Sequence, residues 1–141
     1  MKIKLLVSGK TDDKNLNALI DMYMKRLKHY ITFDIQVIPD IRGAKNFTAE
    51  RQKEREGELI LNALENPDIL ILLDEQGEQY TSVDFSQYLQ KKMNSGIKQM
   101  VMAVGGPYGF SKAVYERAQG KISLSKMTFS HQMVRLFVVE Q

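Results

Sequence analysis

Two uninterrupted runs of five apolar residues, Ile69–Leu73 and Met100–Val104, constrain this chain more than anything else in it. Both have strand length, and neither alternates apolar with polar residues as a strand with one wet face does. A strand that is apolar throughout needs cover on both faces, the situation of a strand inside a parallel sheet with helices on either side. The segments around them agree. Ile3–Val7 reads as an opening strand that leaves through Ser8-Gly9-Lys10, and Phe33, Ile35 and Val37 alternate with polar residues before Pro39 ends them. Between these, from about Asn15 to Tyr30, Leu16, Leu19, Ile20, Tyr23 and Leu27 recur at helical spacing.

A second helix is expected over Phe47–Leu64, stopped by Asn66-Pro67, and a third opens where Thr81 and Asp84 stand at capping-box spacing and closes at Asn94-Ser95-Gly96. Ser111 caps a fourth, carrying Val114, Tyr115 and Ala118, and the strand Lys121–Leu124 follows. Strand and helix alternate throughout, which predicts one α/β domain over residues 1–141 with a mostly parallel central sheet flanked by helices. The last helix bears Met133, Val134, Leu136, Phe137, Val138 and Val139 on most of its faces, so it is expected to be covered all round, by a second copy of the chain or, alternatively, by the chain's own core.

Composition excludes several chemistries. With no cysteine and two histidines, neither a disulfide framework nor a thiolate or histidine-rich metal site is expected. No run approaches the roughly 20 apolar residues of a membrane helix. Ile3–Val7, broken by Lys4, is too short and polar for a secretory leader, so a cytoplasmic location is expected. The net charge of +3 permits an anionic partner without demanding one. Basic residues gather at Lys25, Arg26, Lys28 and His29, and again from Arg42 to Arg55, where Glu50, Glu54, Glu56 and Glu58 are interleaved as on a solvated helix.

Chemistry is concentrated where strands end. Sheets of this kind bind ligands beyond the carboxyl ends of their strands, and three unusual turns lie there: Asp74-Glu75-Gln76-Gly77, Gly105-Gly106-Pro107-Tyr108-Gly109-Phe110, and the polar stretch from Ser125. The glycine-rich turn is not a dinucleotide fingerprint, and Pro107 removes an amide donor that a phosphate would use. No glycine-rich loop ends in Gly-Lys-Ser/Thr, which excludes a P-loop. A nucleoside without phosphates fits better: Gly105 and Gly106 allow close backbone approach, and Leu73, Leu124, Met127 and Phe129 supply an apolar slot, which suits S-adenosylmethionine as one ligand among several.

Leu-Leu-Asp-Glu-Gln-Gly at 72–77, Gly-Gly-Pro-Tyr-Gly-Phe at 105–110 and Ser-Leu-Ser-Lys-Met-Thr-Phe-Ser-His-Gln-Met-Val-Arg at 123–135 resemble the signatures of the ribosomal RNA large-subunit methyltransferase H family, of the SPOUT class. The likeness covers the whole chain. It implies a C-terminal trefoil knot (the α/β knot) that builds an S-adenosylmethionine site from Leu73, Gly105 and the run Leu124, Ser125, Lys126, Met127, Thr128 and Phe129. The resemblance further implies methylation of N3 of a pseudouridine in large-subunit ribosomal RNA, on assembled ribosomes, by a homodimer.

His131, Arg135 and Glu140, polar residues on the apolar last helix, are the catalytic candidates, and Lys25, Arg26 and Arg42 the RNA-contact candidates. Relatives continue past Val139-Glu140-Gln141 into a tail thought to reach the target base, so this chain is expected to lack that tail. An inactive ribosome-binding or assembly factor, and a methyltransferase acting on transfer RNA, are the competing readings.

Overall fold

The computed structural model describes residues 1–41 and 43–141. In chain order the elements are β1 (Lys2–Ser8), α1 (Lys14–Leu27), β2 (Thr32–Ile38), a 3-10 turn (Ala44–Asn46), α2 (Ala49–Asn62), β3 (Ile69–Gln79), α3 (Ser82–Asn94), β4 (Gln99–Val104), α4 (Lys112–Arg117), β5 (Gly120–Ser123) and α5 (His131–Glu140). The strands form one sheet in the order β2-β1-β4-β3-β5. Every strand pairing in it is parallel, so "mostly parallel" understates the regularity.

The two apolar runs behave as their composition requires. Leu70, Ile71 and Leu72 of β3 and Met100 and Ala103 of β4 have no exposed surface. Alternate residues feed two cores. Ile71, Met100, Met102 and Val104 face α1, α3 and α5, while Leu70, Leu72, Val101 and Ala103 face α2 and α4. The result is a three-layer sandwich.

Five helices begin at side-chain caps: Asp13, Thr48, Thr81, Ser111 and Ser130 each accept a backbone N–H of the first turn that would otherwise lack a partner. The expected Thr81 and Ser111 caps are among them. Helix α2 crosses α4 at Gly57, which is buried: a Cβ there would lie 2.3 Å from Ser111 Oγ and 3.2 Å from Val114 Cγ2. Glycine is what lets the two helices approach this closely.

Two expectations change. The strand read as Ile69–Leu73 continues to Gln79. Leu73 and Glu78 both pair with Ile122 of β5, so the four residues Asp74–Gly77 leave the ladder and return to it. Gly77 is pressed on the β5 backbone at the point of return, where a Cβ would sit 2.6 Å from Ile122 N. Helix α5, expected to be covered all round, buries Arg135, Val138 and Val139 but leaves Met133 37% exposed and Val134, Leu136 and Phe137 half-buried.

Candidate functional site

Parallel strands all end on one edge of the sheet, and the turns leaving β4 and β5 meet there with the Asp74–Gly77 excursion of β3. They enclose a cleft of about 520 Å³. Each wall has its own local logic. After β4, Pro107 occupies the first corner of a turn closed by the Gly109 N–H donating to the Gly106 carbonyl at 3.2 Å. Gly109 leaves that turn at φ +81°, a left-handed conformation that glycine adopts without steric cost. Phe110 then folds under the turn, so a Cβ on Gly105 would be 3.1 Å from its ring.

After β5 the chain turns on serines. The Ser123 hydroxyl donates to the Ser125 carbonyl at 2.9 Å, and the Ser125 hydroxyl accepts from the Met127 N–H at 2.9 Å. Ser130 then caps α5 by accepting from the Met133 N–H at 3.2 Å. On the third wall Asp74 shapes the β3 excursion: one carboxylate oxygen accepts from the Gln76 N–H at 2.8 Å and the other from the Tyr115 hydroxyl. Burial and the bond to Asp74 push the Tyr115 phenol up to about 12, so it remains a donor across the neutral range. Thr128 donates to Glu75 at 2.8 Å across the cleft mouth.

Of the residues expected to hold a cofactor, Leu73, Gly105, Gly106, Leu124, Ser125, Met127, Thr128 and Phe129 border this one cleft. Lys126 is exposed and stays out of the lining. The lining also includes Asp74, Glu75 and Phe110, which sequence reasoning placed in strand-end turns without an individual role, and Tyr115, which it did not place at the site. Phe110 was legible only as the end of the glycine-rich turn, and Tyr115 only as an apolar residue of the helix that follows. Two carboxylates and no Lys or Arg line the cleft among the described residues. Such a lining disfavours phosphates and suits a ligand that is neutral or cationic.

The three catalytic candidates separate. His131 borders the cleft. Glu140 borders a neighbouring groove, beside Tyr80, Phe85 and Phe137, which shares Leu124, Ser125 and Phe129 with the cleft. Arg135 is 1% exposed and points away from the cleft, donating to the Ser8 carbonyl at 2.9 Å, the Gly9 carbonyl at 2.9 Å, Thr11 Oγ1 at 3.0 Å and the His131 carbonyl at 3.3 Å. Burial lowers its pKa, while Asp12 and Asp40 nearby oppose that shift. Arg135 is therefore a tie between α5 and the end of β1, out of reach of a reactant. It also explains how an otherwise apolar helix carries a buried cation.

Lys25 and Arg26 close α1, which runs back along the sheet, so they lie at the edge opposite the cleft. A seven-residue strand spans about 23 Å, which sets the scale of that separation. Arg42 lies outside the described residues. Among the described residues there is no His, Asp or Glu group placed to hold a metal ion, and no helix long and apolar enough to cross a membrane.

Comparison with known proteins agrees with this geometry. Residues 1–141 match the family model described as "Predicted SPOUT methyltransferase". The whole chain aligns with 90% of the ribosomal RNA large subunit methyltransferase H of Flavobacterium johnsoniae at 62% identity. It aligns likewise with 90% of the proteins of that name from Parabacteroides distasonis at 58% and Christiangramia forsetii at 57%. With its signature turns gathered on one cleft and its full described length matched, the chain belongs to the SPOUT methyltransferase family, alongside the ribosomal RNA large subunit methyltransferase H proteins.

Proposed function

We propose that this chain is an S-adenosylmethionine-dependent methyltransferase that methylates N3 of a pseudouridine in large-subunit ribosomal RNA on the assembled, cytoplasmic ribosome. The observation that carries the reading is the convergence of the three strand-end turns on one cleft whose lining is apolar, glycine-rich and acidic, with no Lys or Arg among the described residues. Those residues fit the donor. Leu73, Val104, Leu124 and Met127 offer apolar surface to a base, the Gly105–Gly106 backbone borders it without a side chain, and among the described lining residues no Lys or Arg opposes a sulfonium cation. When bound, S-adenosylmethionine supplies an electrophilic methyl group on sulfur.

The chain's own contribution is mainly geometric. Holding the target nitrogen in line with the methyl group can account for several kcal/mol of the barrier, up to about 7–11 kcal/mol in favourable intramolecular cases. The nitrogen must also lose its proton. Of His131, Arg135 and Glu140, only His131 borders the cleft, so general-base work by this set is assigned to it.

Three further parts of the reading rest on particular placements. β5 is the edge strand beyond β3 and β4, yet α5 reaches back to bond the end of β1 through Arg135, a path that suits a C-terminal trefoil knot. The uncovered flank of α5 at Met133, with Leu19 and Met22 exposed on the neighbouring α1, suits a homodimer. In such a dimer Lys25 and Arg26 would meet RNA phosphates at the partner's cleft rather than their own, since they lie at the far edge of their own sheet.

The test is transfer of labelled methyl groups from S-adenosylmethionine to ribosomes lacking the modification, with mass spectrometry of the nucleosides. Label at N3 of pseudouridine in large-subunit RNA is the expected result. Label only in transfer RNA, or binding to ribosomes without transfer, would refute the assignment.

A further inference from the structure

Asp74 and Glu75 differ from the other cleft residues because their side chains reach across it to the other two walls. Asp74 accepts the Tyr115 hydroxyl from α4, 41 residues away, and Glu75 accepts the Thr128 hydroxyl from the turn after β5, 53 residues away at 2.8 Å. The Tyr115 link continues inward. Its ring meets Phe110 edge-on, with centroids 5.8 Å apart, and Phe110 underlies Gly105. One dipeptide on the β3 excursion is thus joined by side chains to the β4 turn on one side and the β5 turn on the other. The excursion is itself anchored in the sheet, since Leu73 and Glu78 at its feet both pair with Ile122.

Turns facing a cleft lose conformational freedom when a ligand orders them, and bonds that order them beforehand lower that cost of binding. We infer that Asp74 and Glu75 are positioning residues, which through Tyr115 and Thr128 hold the three cleft turns in the shape that receives the methyl donor. This rests on the cleft being the donor site. It assigns the two carboxylates a role as hydrogen-bond acceptors toward protein hydroxyls, distinct from a charge contact with the bound cation.

These two roles separate experimentally. The full chain is titrated calorimetrically with S-adenosylmethionine, which carries a sulfonium, and with S-adenosylhomocysteine, a neutral thioether at the same position. Glu75→Leu removes the acceptor and is expected to weaken both ligands about tenfold, equivalent to one hydrogen bond of about 1.4 kcal/mol. Glu75→Gln keeps an acceptor oxygen for Thr128 and is expected to stay within about twofold of the parent for both. Tyr115→Phe, which deletes the other link, and Thr128→Val, which deletes the first from its far side, are expected to follow Glu75→Leu. Should Glu75→Leu fail to fold, the Thr128→Val titration decides the same bond.

If Glu75→Gln loses S-adenosylmethionine as strongly as Glu75→Leu while retaining S-adenosylhomocysteine, the carboxylate acts by charge on the ligand and the positioning role is overturned. If all four variants bind like the parent, the inference fails and the donor site stands. If the unaltered chain binds neither ligand, the donor site fails and takes the inference with it.

Discussion

Replacing Gly57 by alanine sets two opposed effects against each other. Within a helix, alanine is favoured over glycine by about 0.8–1.0 kcal/mol, and on that ground Gly57→Ala would stabilise the protein. The crossing of α2 with α4 reverses the sign. A Cβ would stand 2.3 Å from Ser111 Oγ, 3.1 Å from Ser111 Cβ and 3.2 Å from Val114 Cγ2. The first contact is impossible, and turning Ser111 aside breaks its cap on α4, worth about 1 kcal/mol. The other two require the helices to separate, and overpacking of this kind costs about 1–3 kcal/mol. The net expectation is destabilisation by about 2 kcal/mol, which for a urea m-value of about 2 kcal/mol/M lowers the unfolding midpoint by about 1 M. Glycine caps a helix nearly as well as serine, so Ser111→Gly alone should cost only a few tenths of a kcal/mol. In the Gly57→Ala/Ser111→Gly double variant the offending hydroxymethyl is gone, and the two changes should couple favourably by more than about 1 kcal/mol. A stabilised Gly57→Ala protein, or strictly additive midpoints across the cycle, would show that the crossing is not limited by these contacts.

Two further outcomes concern stability. Arg135→Met should cost about 2–4 kcal/mol in urea unfolding, because the Ser8 and Gly9 carbonyls lose charge-assisted donors in a closed site; a midpoint unchanged from the parent would contradict the tie. Tyr80, through its bond to Glu78, and Tyr115, through burial and Asp74, are each raised from 10.0 to about 12. The folded chain then keeps protons that the unfolded chain releases above about pH 10, so this contribution is intact below that value and drains away as the pH rises through about 12. Midpoints measured at about pH 9 and about pH 11 should fall in the parent and fall less in Tyr80→Phe/Tyr115→Phe; equal slopes would refute the assignment.

The order of strands and helices could be read from local pattern because each element meets a layer of its own period. The uninterrupted run Ile69–Leu73 announced a strand covered on both faces, and Leu70, Ile71 and Leu72 are indeed sealed. The continuation of β3 to Gln79 was hidden because Glu78 and Gln79 are polar and exposed, and they join the sheet only through β5, some 45 residues later. Arg135 was hidden for a similar reason. Its acceptors are carbonyls at Ser8 and Gly9, which carry no sequence signal, so a lone cation on an apolar helix read as a catalytic group. The three turns were legible as turns because Gly105, Gly106, Pro107 and the serines after β5 announce special backbone. Which side chains bridge them was not, since Tyr115 looked like any aromatic residue of an apolar stripe.

The return of β3 to its own ladder fixes the length of the cleft wall as firmly as its composition. Leu73 and Glu78 share Ile122 as partner, and Gly77 touches the opposing backbone at the closing foot. Deleting or inserting one residue between them would slide Glu78 and Gln79 by one place and turn each to the opposite face of the sheet. Most surface turns absorb changes of length, whereas this one is gauged by the strand on both sides of it.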